Sequence, residues 1–136
     1  MRRPLIISLV AAVFAALLAG GVAVAGPNVT VPTKTVTITP AACPAAVEFC
    51  FKPGPLTVKP GTKVVWNNTS DTAHTVTRCT VALCGVSGGT GKDPNFHSPT
   101  IPPGKTFSFT FHKPGTYKYF CKVHGYSVMH GTITVH

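Results

Sequence analysis

The pattern of apolar and polar positions divides the chain in two. Leu5 to Ala19 is an almost uninterrupted apolar run, whereas beyond Gly26 the apolar residues fall into short alternating groups. Alternation at every second position turns one side of a strand inward and the other to water. Val64 and Trp66 share one such side, as do Phe107, Phe109 and Phe111, and as do Tyr117, Tyr119 and Cys121. The pattern predicts strands over Thr35–Thr39, Phe49–Phe51, Leu56–Lys59, Lys63–Asn67, His74–Arg78, Thr106–Phe111, Gly115–Cys121 and Gly131–Val135. Helical periodicity is nearly absent from the same region.

The punctuation between these segments agrees with strands joined by tight turns. Lys59-Pro60-Gly61, Pro102-Pro103-Gly104 and Lys113-Pro114-Gly115 each set Pro before Gly, so that Pro fixes one turn angle and Gly supplies a positive one. Many short strands with such turns predict an all-β fold, an antiparallel Greek-key β-sandwich. Gly85–Asp93 is the one stretch that reads as a loose loop.

The N-terminal run reads as a targeting segment. Met1-Arg2-Arg3 supplies positive charge, the apolar run follows, and Ala23-Val24-Ala25 offers the small residues a signal peptidase accepts. Residues 1–25 are therefore read as a secretory signal peptide, 26–34 as an N-terminal extension and 35–136 as one folded domain. The rival is a retained anchor, since Leu5 to Ala25 is just long enough to span a bilayer. Its Gly- and Ala-rich end and its cleavage pattern favour removal. The expected location is extracytoplasmic, periplasmic or secreted, with no integral membrane span once the signal is cleaved.

Charge narrows the partners. The chain has 12 Lys and Arg against 3 Asp and Glu, and loss of Arg2 and Arg3 with the leader leaves a formal +7. Such a surface favours acidic docking partners and sets association rate rather than identity. Nucleic acid is a poor match, because the lysines are scattered singly and no basic helix is evident. The acids Glu48, Asp71 and Asp93 stand apart in sequence, which removes most general acid–base schemes. Asn28, Asn67 and Asn68 match N-x-[S/T], a pattern common by chance.

The 5 cysteines are an odd number, so in an oxidising compartment four can pair and one is left over. Three pairings of four are open; proximity favours Cys43 with Cys50 and Cys79 with Cys84, which leaves Cys121. Cys121 begins a C-x2-H-x4-M run with His124 and Met129. A thiolate and imidazoles in a plane, with a weak thioether on the axis, suit both Cu(I) and Cu(II). His74, 47 positions earlier, is the best candidate for the missing imidazole. Zinc accepts Cys and His as well, but Met is a poor zinc ligand. His97, His112, His130 and His136 have no partner at ligand spacing; His130 could replace Met129 only if the loop shifted by one position.

Several segments together resemble the small blue copper proteins, the cupredoxins of plastocyanin and amicyanin type. They are Leu56-Thr57-Val58-Lys59-Pro60-Gly61, Val64-Val65-Trp66-Asn67-Asn68, His74-Thr75-Val76, Gly115 to Cys121, and His124 with Met129 to Val135. The resemblance implies a cupredoxin-like sandwich with one copper ion near one end, held by His74, Cys121, His124 and Met129. It implies outer-sphere electron transfer between a redox protein donor and acceptor, with no enzymatic activity of its own, and a monomer. His124, Gly125 and Tyr126 are then the electron-exit patch. Ala41–Cys50 and Cys79–Cys84 are additions to the simplest family pattern. Two other roles stay open: extracytoplasmic copper storage or delivery without a redox task, and an accessory domain serving a copper enzyme.

Overall fold

The computed structural model describes residues 29–136; the expected signal peptide and the first residues of the expected extension lie outside them. Eight strands form two sheets. They are β1 (Thr33–Thr39), β2 (Cys50–Lys52), β3 (Pro55–Val58), β4 (Thr62–Asn68), β5 (Thr77–Arg78), β6 (Thr106–Phe111), β7 (Gly115–Phe120) and β8 (His130–Val135). One sheet has the order β2-β1-β4-β6 and the other β3-β8-β7-β5. They pack face to face as a β-sandwich.

The alternating residues supply the core, as their spacing predicts. Val36 and Ile38 of β1, Val64 and Trp66 of β4, Phe111 of β6, Tyr117 and Tyr119 of β7 and Ile133 and Val135 of β8 are all buried. Trp66 sits at the centre, edge-on to Tyr119 at 5.4 Å and close to Phe96, Phe107 and Phe111. Two of the expected turns close with backbone bonds, Thr62 N–H to the Lys59 carbonyl and Lys105 N–H to the Pro102 carbonyl, each 3.1 Å. Gly61 and Gly104 take the positive φ there, 85° and 71°.

The pairing is mixed rather than wholly antiparallel. β1 runs parallel to β4, with Val36 opposite Trp66, and β3 runs parallel to β8, with Leu56 opposite Ile133. The chain leaves β1 through β2, crosses to the other sheet as β3 and returns as β4 beside β1. A returning strand then points the same way as the one it left. The remaining pairs are antiparallel.

The expected strand His74–Arg78 is a strand only at Thr77–Arg78. Its first part divides its hydrogen bonds with an aperiodic segment, His74 pairing with Ile101 and Ser98 N–H bonding the Val76 carbonyl at 2.8 Å. A one-turn helix, α1 (Val81–Cys84), follows, capped by the Thr80 hydroxyl and ended by Gly85 at φ 67°. Among the described residues no helix is long and apolar enough to cross a membrane.

The stretch Gly85–Asp93, expected to be loose, is pinned to β7. Lys118 N–H donates to Gly88, and Gly91 N–H to Thr116. Arg78, buried, donates to the carbonyls of Asp93 and Gly91 and lies 4.9 Å over the Tyr117 ring. The Asp93 carboxylate accepts from the backbone of His112 and Lys113 and from the Tyr117 hydroxyl, at 2.8 to 3.0 Å. The glycines serve close approach: a Cβ on Gly91 would stand 2.2 Å from the Tyr117 ring. Because that ring is buried and tied at its hydroxyl, it has little room to yield. Gly91→Ala is therefore expected to destabilise the fold by about 1–3 kcal/mol, read as a lower urea midpoint at unchanged m-value. An unchanged midpoint would mean that the loop is free to move away from β7.

Candidate metal centre

Cys121 follows β7 on the face already occupied by Tyr117 and Tyr119, so the same alternation carries its side chain inward to full burial. The chain then folds back on itself. Gly125 N–H bonds the Cys121 carbonyl at 2.9 Å, Met129 N–H bonds Gly125 at 3.0 Å, and Cys121 N–H bonds Met129 at 3.0 Å. Gly125 takes φ 81°, which an L side chain resists. This closed loop buries Met129 beside Cys121, while His130 starts β8 exposed, its Nδ1 2.8 Å from the Tyr126 carbonyl.

His74 arrives on the segment between β4 and β5, paired with Ile101. Its Nδ1 lies 3.7 Å from the Cys121 sulfur and its Nε2 lies 2.9 Å from the Ser70 hydroxyl. Ser70 is held in turn by Asn68, whose Oδ1 accepts from the Ser70 hydroxyl at 2.7 Å and from its backbone N–H at 3.0 Å. Asn68 spends its amide on the carbonyls of Thr72 and Ile101. A cation on Nδ1 would fix the tautomer: Nε2–H donates to Ser70, and Ser70 donates to Asn68. Asn68 is thus buried and fully engaged, and its N-x-[S/T] match is incidental.

His124 is half-buried on the loop, with its ring centroid 4.9 Å from that of His74. Its Nδ1 is buried and has no hydrogen-bond partner among the described residues. An orphaned buried nitrogen costs about 1–3 kcal/mol unless something else engages it. Ligand atoms of His74, Cys121 and His124 all lie within 4.8 Å of one another. The structure thus brings three of the four expected residues to one point and places Met129 in the same closed loop. One thiol and two imidazole nitrogens within reach of one another, with Met129 buried in the same loop, make a soft and borderline donor set that fits copper.

Thr75 stitches the two ligand-bearing segments together. Its backbone N–H points to the Cys121 sulfur at 3.4 Å, and its hydroxyl accepts from Lys122 N–H at 2.8 Å. Sequence reasoning missed Thr75, Ser70 and Asn68, because polar residues beside a histidine carry no periodic signal. The expected disulfides are present, Cys43–Cys50 and Cys79–Cys84, and Cys121 is the free cysteine. In the expected exit patch His124, Gly125 and Tyr126 are each half-buried, flanked by Val123 and Val128 at 58% and 43% exposure.

Residues 41–136 match the family model described as copper binding proteins, plastocyanin/azurin family. A plastocyanin of Scenedesmus fuscus is 34% identical over 86 residues, covering 62% of this chain and 85% of that protein. Amicyanin-alpha of Methylorubrum extorquens is 29% identical over 85 residues, covering 62% and 63%. Among solved structures, a purple cupredoxin from Nitrosopumilus maritimus superposes with a TM-score of 0.58 at 26% identity, over 75% of this chain and 98% of that one. The reduced Cu(I) form of an amicyanin mutant gives 0.57 at 26% identity, over 80% and 87%.

Burial, and then the charge of His124, lower the His74 pKa from 6.5 to about 4, so the ring is neutral at pH 7. In the metal-free protein the unfolded chain takes up a proton on this residue below pH 6.5 that the folded chain refuses until about pH 4. Stability contributed by His74 is therefore complete above that window and is lost as the pH falls through it. The denaturant midpoint of metal-free protein is expected to fall across this range, with a shallower slope in His74→Gln. Equal slopes for the two proteins would show that His74 is not held neutral by the fold.

Proposed function

The chain belongs to the plastocyanin/azurin family of copper-binding proteins, and from that premise we propose that it is an extracytoplasmic carrier of single electrons between two redox proteins. The proposed ligands of its one copper ion are His74, Cys121, His124 and Met129. The observation that carries this reading is the convergence of a free buried thiol with two imidazole nitrogens, one of them buried and unpartnered. Bound there, copper supplies a centre that alternates between Cu(II) and Cu(I).

The residues around it serve such a centre by staying still. The Thr75 N–H faces the sulfur from the neighbouring segment. Ser70 and Asn68 hold the His74 ring from behind, and the hydrogen-bonded loop fixes where Cys121, His124 and Met129 stand. A donor set that does not rearrange suits both oxidation states alike, which lowers the barrier to electron exchange.

The way out runs through His124. Its ring lies at the surface end of the site, with Val123 and Val128 exposed on either side of the loop. A partner that docks on this apolar rim excludes water at the point of transfer. The basic surface, 12 Lys and Arg against 3 acids over the whole chain, favours acidic partners and predicts association that slows as salt is raised. The leader-like first 25 residues support export, and the protein acts as a monomer in this reading.

Copper-loaded protein should show an intense visible thiolate-to-Cu(II) band and reversible one-electron cycling. Cys121→Ser is expected to abolish the band altogether. Met129→Leu is expected to keep it and to raise the potential, since loss of a weak thioether donor disfavours Cu(II). A colourless protein that only takes up Cu(I) and releases it to a chelator would replace the carrier by storage or delivery, and loss of all copper in Met129→Leu would overturn the role of Met129 as a weak donor.

A further inference from the structure

Phe49 touches both imidazoles of the proposed ligand set. Its ring centroid lies 4.9 Å from that of His74, edge-on at 67°, and 5.3 Å from that of His124, tilted by 39°. The ring is 6% exposed. Among the described residues no other aromatic side chain stacks on His124 except His74 itself.

Phe49 is not placed by a strand ladder. It stands one residue before β2, at the end of the Ala41–Cys50 excursion, and its neighbour Cys50 is bonded to Cys43. Beyond Cys50 the chain is anchored by Phe51, buried edge-on against Tyr119 at 4.8 Å. Before it the excursion is wound into a conformation that an open loop of L-residues avoids, with Ala42 at φ 55° and Ala46 at φ 68°. The cross-link and the Phe51 anchor together leave Phe49 one place to go, against the imidazoles.

The two imidazoles differ in what else holds them. His74 is tied at Nε2 to Ser70, whereas His124 rides on a loop and its Nδ1 is buried without a partner. Packing must do for His124 what a hydrogen bond does for His74. We propose that Phe49, clamped by the Cys43–Cys50 disulfide, is a positioning residue that sets the orientation of the His124 ring and shields the metal side of both imidazoles from water. The inference rests on the copper reading above but concerns how the rings are held, so it can fail separately.

Four full-length variants separate the possibilities: Phe49→Ala, Phe49→Leu, the double Cys43→Ser/Cys50→Ser, and the double Cys79→Ser/Cys84→Ser as a control that removes the disulfide away from Phe49. The first measurement is the rate at which a chelator strips copper from loaded protein, together with the Cu(II) spin-resonance spectrum. Phe49→Ala and Cys43→Ser/Cys50→Ser are expected to lose copper about tenfold faster, the scale of losing a supporting residue behind a metal ligand, with an altered spectrum. Phe49→Leu should recover most of that loss, and the control should release copper at the rate of the unaltered protein. Equal rates for Phe49→Ala and the unaltered protein, or equal acceleration in the control, would overturn the proposal.

The second measurement is proton NMR of the histidine rings in metal-free protein. One sharp, shifted set of His124 ring signals is expected, collapsing toward averaged values in Phe49→Ala; signals that do not change would overturn the proposal. If the unaltered protein binds copper without a thiolate-to-Cu(II) band, the carrier reading fails, and the NMR result still decides the role of Phe49.

Discussion

A thiol and two imidazoles held within 4.8 Å of one another in a buried end of the sandwich are an arrangement that a core without a metal has little reason to keep. The His124 Nδ1 has no hydrogen-bond partner among the described residues, and His74 is held neutral well below the usual range for histidine. Both are costs to the fold, and both become advantages once the nitrogens act as ligands. Everything near the site reads as a means of sustaining that state: Ser70 and Asn68 behind His74, the Thr75 bridge to Lys122, and the loop that returns from Cys121 to Met129 through Gly125. Binding free energy from a metal stabilises only the folded chain, so a site that weakens the empty protein can strengthen the loaded one.

The two sheets supply the stiffness this requires. Cys121 is placed by β7 and His74 by a segment bonded both to the Asn68 end of β4 and to Ile101, so the proposed ligands stand on different parts of one framework. The Trp66 cluster locks the sheets together between them. Toward the Gly115 end of β7, Arg78, Tyr117 and Asp93 bind the glycine-rich stretch to the strand that leads into Cys121. A strand tied along both edges and through its core side chains holds the proposed ligand Cys121 with little freedom to follow a change of charge on a bound metal.

Much of this was legible in the sequence, for identifiable reasons. Strands with a buried face announce themselves by alternation, and Val64–Trp66 and Tyr117–Tyr119–Cys121 did so. The odd cysteine was a matter of counting once export was inferred, and the disulfides followed from proximity. Strand direction was not legible, because alternation says which face is buried and not which neighbour runs parallel. The pairing of His74 with Ile101 was hidden because the segment around Ile101 is aperiodic and Pro-rich, and backbone bonding leaves no side-chain signature. Gly88, Gly89 and Gly91 looked like looseness and are instead points of close approach, Gly88 to the Cys79 backbone and Gly89 and Gly91 to β7, a distinction only the packed neighbour reveals. Thr75, Ser70 and Phe49 are ordinary residues in sequence; their meaning comes from what the fold sets beside them.

One rigid donor set serving copper in both oxidation states would leave a direct signature in X-ray absorption at the copper edge, recorded on loaded protein before and after reduction. One short copper–sulfur bond and two imidazole nitrogens are expected in each state, with only slight changes in distance between them. Copper without a short sulfur bond, or copper that sheds an imidazole on reduction, would show that the donor set is not rigid.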